Sequence, residues 1–284
     1  MAVDANVPLK AADSDFLGRF REVISDPLNL LIDRVPQAGV VEGNDVFLHN
    51  GNRVPLSGDG AYYGPFSQLL VINRGVHEPL EEYVFQETLK ALPASPLMIE
   101  LGAYWAHYSM WLKKERPNAT SIMVEPDPTN LAAGWANFSR NGYRGEFIHA
   151  TVARGAWELD PFFKSRGISH ADILHVDIQG NEAELVDGGR DTLGKGLVDY
   201  LFVSTHSQEL HECILSELAG FGYRVEVSSD FDNDTTSFDG FVFASSPYAK
   251  QIFKNFSYAG RTKIVTSRAD DLVQSVLMVR ESSR

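Results

Sequence analysis

The spacing of apolar residues along the chain changes period several times, and each change marks an element. The opening fifteen residues are polar, with Asp4, Asp13 and Asp15 and no period, and are expected to be loosely docked. From Phe16 to Ile32, apolar positions at Phe16, Phe20, Ile24, Leu28, Leu31 and Ile32 suit one or two short helices interrupted at Asp26-Pro27. Val46 to Leu56 reads as two extended arms around Asn50-Gly51, a pair that tolerates positive φ and so predicts a hairpin. Ala61 to Leu92 begins aromatic and turn-rich, then becomes amphipathic through Leu80, Tyr83, Val84 and Leu89.

Beyond Pro93 and Pro96 the pattern becomes regular. Five apolar runs follow at Leu97–Ile99, Thr120–Val124, Gly145–Val152, Ala171–Asp177 and Val198–His206, with helical spacing in Trp105–Leu112 and Thr129–Arg140 between them. Strand-then-helix alternation predicts an α/β fold with a parallel sheet covered on both faces. Nothing helical separates Tyr223–Ser229 from Phe238–Ser246, so these two strands should pair antiparallel at one edge. An amphipathic stretch at Asp271–Val279 has no placement from sequence alone. The expected organisation is an N-terminal extension and cap over residues 1–95, a core over 96–246 and a tail over 247–284 packed on that core.

Composition narrows the possibilities. The chain carries 38 acids against 25 bases, a net charge of −13, and no basic stripe interleaved with aromatics, so nucleic acid is not an expected partner. The single cysteine, Cys213, excludes an intrachain disulfide framework and reads as a buried apolar residue in a reducing compartment. No apolar run approaches a membrane span and the first residues do not have the form of a signal peptide; a cytoplasmic protein with no membrane partner is expected.

The stretch from Leu97 to Glu115 carries the candidate chemistry. A strand ends in Glu100, Gly102 follows, and a helix opens, so a ligand can lie against the glycine backbone while unpaired helix N–H groups receive an anionic group. The second strand also ends in an acid, Glu125, placed to accept from ribose hydroxyls. A dinucleotide would need G-x-G-x-x-G, whereas this turn reads E-L-G-A-Y-W-A, with one glycine and bulky Tyr104 and Trp105. S-adenosylmethionine has no pyrophosphate; its ammonium, carboxylate and ribose match this turn and its two acids.

IELGAYWAHYS, MVEPDPTNL and HVDIQGNEAEL (His175 to Leu185) together resemble the class I methyltransferases of the FkbM type. The first is also similar to the cofactor turn of catechol O-methyltransferases. The resemblance spans roughly Leu97 to Ser246 and implies a Rossmann-like, seven-stranded, mostly parallel sheet with an antiparallel last strand. It further implies transfer of a methyl group to a hydroxyl on a small natural product or sugar. Carried over by position, Glu100 stands before the glycine, and Gly102 and Tyr104 line the methionine end. Ser109 reaches the cofactor carboxylate, Glu125 holds the ribose, Ala150 and Thr151 border the adenine, and Asp177 lies near sulfonium and acceptor. Ala106 replaces a later glycine of the catechol pattern. The fifth strand ends Ser204-Thr205-His206 where the catechol enzymes supply an Asp-Asn pair to magnesium, which leaves the metal open.

For His206 three roles stand side by side: a neutral imidazole taking the hydroxyl proton, a ligand with Asp177 for a divalent ion, or an ordinary hydrogen-bonding residue. Glu182 is either part of the site or a partner for the next helix turn, and Glu100 or Glu125 taken singly can cap a helix. His211 is expected to be solvated. Asp230, Asp232, Asp234 and Asp239 lack calcium-loop spacing and suit a solvated turn, with Asp239 the one to watch. Tyr62 to Leu92 is expected to cap the acceptor and help select it. Two other functions remain: a binding module that holds S-adenosylmethionine without transfer, and a nicotinamide oxidoreductase. Homo-oligomerisation is compatible with the sequence.

Overall fold

The structure is a computed structural model and describes residues 14–58, 60–62 and 67–282. Most of the polar N-terminal stretch and part of the aromatic start of Ala61–Leu92 therefore lie outside the described residues. The core is a seven-stranded sheet of β4 (Leu97–Leu101), β5 (Thr120–Glu125), β6 (Glu146–His149), β7 (Ala171–Val176), β8 (Val198–Thr205), β9 (Arg224–Ser229) and β10 (Gly240–Ser245). Their spatial order is β6-β5-β4-β7-β8-β10-β9. All neighbours pair in parallel except β10, which runs antiparallel to both β8 and β9. β7 and β10 are buried along their whole length, which is why their sequences are mostly apolar and do not alternate with exposed polar residues.

The topology locates the site. The chain lays β5 and β6 to one side of β4 and then crosses back to place β7 on the other, so the winding direction reverses between β4 and β7. In open α/β sheets that reversal leaves a crevice at the carboxyl ends of the strands. Gly102 and Asp177 are the residues that immediately follow those two strands.

Three apolar clusters hold the layers together. One face of the sheet packs Leu101, Leu174 and Leu201 against α6 (Leu159–Arg166), α7 (Glu182–Gly188) and α9 (Gln208–Gly220). The other face packs Ile173, Phe202 and Phe243 against Val84, Phe85 and Leu89 of α3 (Pro79–Leu89) and Leu112 of α4 (His107–Glu115). A third cluster joins Val46 and Leu48 of the N-terminal hairpin to Met110, Met123 and Phe138. The hairpin forms as expected, with β2 (Asp45–Phe47) and β3 (Arg53–Pro55) paired antiparallel around Gly51, whose φ is +86°. Together with β1 (Val41–Glu42) they make a small separate sheet. Ahead of it, α1 (Ser14–Ser25) and a short 3-10 turn (Pro27–Leu30) are divided at Asp26, as the sequence predicts.

Three expectations change. The amphipathic part of Tyr62–Leu92 packs into the sheet rather than over it: ten of the eleven residues of α3 are buried. His211 is not solvated. α9 turns it inward, where its ring lies 3.0 Å from Thr205 Oγ1 and 2.9 Å from Ser228 Oγ, while Cys213 on the same helix is exposed rather than buried. The last helix, α11 (Ala269–Ser282), lies beside the 3-10 turn and buries Val279 there.

Candidate cofactor and acceptor site

The turn after β4 is built from backbone before any ligand enters. Gly102 has φ +72°, and a Cβ on it would lie 1.6 Å from the carbonyl oxygen of Asp177. The glycine is thus required by the crossing of two chain segments as well as by room for a ligand. Gly102 and Ala103 both donate to Val124 O, at 2.8 and 3.1 Å, which ties the turn to the end of β5. Tyr104 and Ala106 follow with φ of 42° and 61°, left-handed conformations that a side chain adopts at some cost. Ala106 is the N-cap of α4 yet offers no capping oxygen, and Glu100 serves instead by accepting from Ser109 N at 3.2 Å. Glu125 fixes the other end, with Oε2 accepting from Tyr104 N and Oε1 from Asp127 N, each at 2.9 Å.

Around this turn lies a cavity of about 420 Å³ lined by Gly102, Tyr104, Glu125, Asn130, Thr151 and Asp177 among others. Its volume falls within the ~300–1,000 Å³ of ligand sites. Not every expected cofactor residue faces it. Ser109 is fully buried behind the turn, Glu100 faces a neighbouring space, and Ala150 packs against the apolar layer while donating its N–H to Glu125 O.

Asp177 and His206 meet, as the ends of neighbouring strands should. His206 Nε2 is 3.2 Å from Asp177 Oδ1 and 3.3 Å from Asp239 Oδ1, while Nδ1 is 2.7 Å from Glu182 Oε1. Burial disfavours a charged ring, but these three carboxylates outweigh it and push the His206 pKa up to about 10. A ring held in this way favours the imidazolium over the neutral imidazole at neutral pH. Glu182 is fully buried and belongs to this network, and Asp239 joins it from the loop before β10.

Asp177, His206 and Asp239 also have the spacing of a metal group, with ligand atoms within 4.8 Å of one another. The donor set suits magnesium poorly, because that ion takes oxygen ligands in octahedral geometry and one donor here is an imidazole. A proton on His206 offsets part of the charge of these carboxylates.

A second, smaller cavity of about 40 Å³ adjoins the first, and Gly102, Tyr104 and Asp177 line both. It is walled by acids and aromatics. Glu78 accepts from Tyr108 Oη at 2.8 Å and Glu81 Oε1 lies 2.5 Å from His175 Nε2. Burial pushes the Glu78 carboxyl up to about 8 and Glu81 well above its ordinary value, with Asp177 and Asp239 adding to the latter. Burial likewise lowers His175, against the pull of Glu100 and Asp177.

The sequence pattern of the Methyltransferase FkbM domain matches residues 78–225, just over half of the chain. The chain belongs to the FkbM methyltransferase family. Solved structures similar to this FkbM protein are distant. Precorrin-6y C5,15-methyltransferase from Geobacter metallireducens is 17% identical, with 57% of this chain and 86% of that one covered and a TM-score of 0.43. TrmK of M. capricolum, in complex with S-adenosyl-homocysteine, is 10% identical over 61% and 72% of the two chains, TM-score 0.42. An O-methyltransferase family protein from Burkholderia thailandensis is 13% identical over 59% and 58%, TM-score 0.39. No curated protein matches the chain significantly.

The FkbM match begins at Glu78, so it includes the helix α3 that sequence reasoning treats as a cap. That helix supplies the functional candidates the sequence reading missed: Glu78, Glu81 and Glu82. The signal was present in HEPLEEYVF, where acids stand between apolar residues on every side and leave no solvent face for them. Counted only as an amphipathic helix, the segment hides carboxylates that fold inward. Among the described residues no helix is long and apolar enough to cross a membrane.

Proposed function

We propose that this FkbM methyltransferase moves the methyl group of S-adenosylmethionine to a hydroxyl of a small, uncharged or cationic acceptor. The observation that carries the reading is the shared wall: Gly102, Tyr104 and Asp177 border both the larger cavity and the acid-lined one. The larger cavity takes the cofactor, with Glu125 and Thr151 at its ribose and adenine side and Gly102 and Tyr104 at its methionine side. The acceptor enters beside Asp177. Its oxygen forms the new bond to the methyl carbon as the carbon–sulfur bond breaks, the bonding pair leaves with sulfur as S-adenosylhomocysteine, and the hydroxyl proton passes to a carboxylate.

Asp177 is the carboxylate placed to receive that hydroxyl, and the imidazolium of His206 holds Asp177 in position. Alignment of oxygen, methyl and sulfur supplies much of the rate, and proton removal adds roughly 10²–10⁴-fold. The acceptor is small-molecule in class because the net charge of −13 disfavours nucleic acid.

Calorimetry with S-adenosylmethionine, S-adenosylhomocysteine and NADH tests the cofactor, and a panel of hydroxylated, amino and anionic acceptors tests the transfer. Binding of NADH alone sinks the reading. Binding of S-adenosylmethionine without turnover on any acceptor favours a module that only holds the cofactor, a reading that the small volume of the second cavity supports. Loss of activity in EDTA with recovery on magnesium would return Asp177 and His206 to the ligand role.

A further inference from the structure

Beside the acid-lined cavity, whose wall includes His107, lies a second group of titratable residues to which the proposed transfer gives no role. His49 comes from the turn of the N-terminal hairpin, Glu82 from α3 and His107 from the first turn of α4. All three are buried, and their potential ligand atoms lie within 4.8 Å of one another. We propose that His49, Glu82 and His107 bind a divalent transition metal of the zinc class.

The unpaired atoms carry the proposal. His107 is 2% exposed, and neither of its ring nitrogens has a hydrogen-bond partner. An imidazole so placed has lost its water and gained nothing in return, which costs about 1–3 kcal/mol for each unmade bond. Beside it, His49 Nε2 lies 3.0 Å from Glu82 Oε2, yet the two do not meet in hydrogen-bonding geometry. Bonds of about 2.0–2.1 Å to a shared tetrahedral ion place neighbouring ligand atoms roughly 3.3 Å apart, each aimed at the ion rather than at the other. The separation and the misalignment both fit that arrangement.

The surrounding contacts orient the same atoms. Glu82 Oε1 accepts from the backbone N–H groups of His77 and Glu78 at 2.7 and 3.1 Å and lies 2.7 Å from His77 Nδ1, which leaves Oε2 for the ion. His49 Nδ1 lies 3.4 Å from the carbonyl of Asp33, so Nε2 is the nitrogen left to ligate. Outer partners of this kind are the usual companions of metal-bound histidine and carboxylate. Trp105 stacks on the His107 ring at 5.2 Å, and Trp111 meets the His49 ring edge-on at 4.2 Å. Two histidines and a glutamate with a free fourth position are a zinc-type donor set, and imidazole disfavours calcium or magnesium. His49 also lines a separate cavity of about 310 Å³ that includes Asp33, Gln86 and Glu115.

The contrast with His206 is instructive. There each ring nitrogen has a carboxylate oxygen within 3.3 Å, whereas neither nitrogen of His107 has a hydrogen-bond partner. The ion would join hairpin, α3 and α4, and so fix the wall of the acceptor cavity to which His77 and His107 both contribute.

Tag-free full-length protein, stripped with chelator and titrated with Zn²⁺ and Co²⁺, provides the test. We expect about one ion per chain, a visible ligand-field band with Co²⁺, and a rise in melting temperature on adding Zn²⁺. His107→Phe, which keeps the ring volume, and His49→Gln should each weaken binding by on the order of 100-fold or more, whereas His206→Gln should leave it unchanged. Absence of binding by the wild-type protein overturns the proposal whatever the variants do. Binding that survives His107→Phe and His49→Gln, or that disappears in His206→Gln, overturns it too. None of these readouts depends on methyl transfer.

Discussion

His206 sits among Asp177, Glu182 and Asp239, and that surrounding decides what an imidazole can do there. With a folded pKa pushed up to about 10 from an ordinary value near 6.5, the ring stabilises the fold fully below about pH 6.5. That contribution is lost as pH rises through about 10. We expect ring nitrogen NMR to show both nitrogens protonated at about pH 8. A proton lost near pH 6.5 in the metal-free protein would contradict the network. Activity should accordingly lack an inflection near 6.5 that His206→Gln removes. Asp26 has the same sign in a lower pH window. Burial pushes its carboxyl up to about 6, against hydrogen bonds from Thr236 Oγ1 at 2.6 Å and Leu28 N at 2.8 Å. The folded chain then holds the proton more tightly than the unfolded one, so stability falls as pH climbs from about 4 to 6 and levels off above. The drop should be about 2–3 kcal/mol. Asp26→Asn should flatten that part of a urea-denaturation series; an unchanged slope would show that another acid is responsible.

α3 is the element whose role the structure revises. Phe85 is fully buried and its ring centroid lies 5.0 Å from Tyr108, 5.2 Å from Trp111 and 5.4 Å from Phe202, so the helix is anchored in the main core. Phe85→Ala should cost about 3–5 kcal/mol in equilibrium unfolding. A loss under about 1 kcal/mol would mean that the helix is not anchored in the main core. The strands were legible because each is an apolar run closed by an acid or a turn residue, and Glu125 and Asp177 follow directly from those endings. What sequence could not show is which way a polar side chain on a helix faces. His211 and Cys213 stand two positions apart on α9 and were assigned to the wrong sides, and Glu81 and Glu82 are adjacent yet both buried. Periodicity reports the apolar stripe, and it carries no information about a polar residue held inside by a partner distant in sequence. The partner of Glu82, His49, is such a case, and so is Asp239 for His206.

At the scale of the whole molecule, the N-terminal layer and the methyltransferase sheet share their apolar clusters. Leu28 and Ile32 pack in the same cluster as Ile173 and Phe202, and Val46 and Leu48 in the same one as Met110 and Met123. Asn141 adds polar ties across the same boundary, its side chain accepting from Arg53 N and donating to Arg53 O, each at 2.8 Å. A boundary held this way should not open independently of the core. Heat should therefore unfold both parts in one transition. S-adenosylmethionine at about 100 times its Kd should add about 2.7 kcal/mol, which raises the melting temperature by roughly 5 °C for a domain of this size. Hydrogen exchange offers the sharper reading, because a ligand that binds beside Gly102 should then also slow exchange of the β2 and β3 amides, which it does not touch. Two separate transitions, or protection confined to the seven-stranded sheet, would mean that the N-terminal layer folds as a unit of its own. Its shared clusters would then couple the two parts too weakly for cofactor binding to be felt at the hairpin.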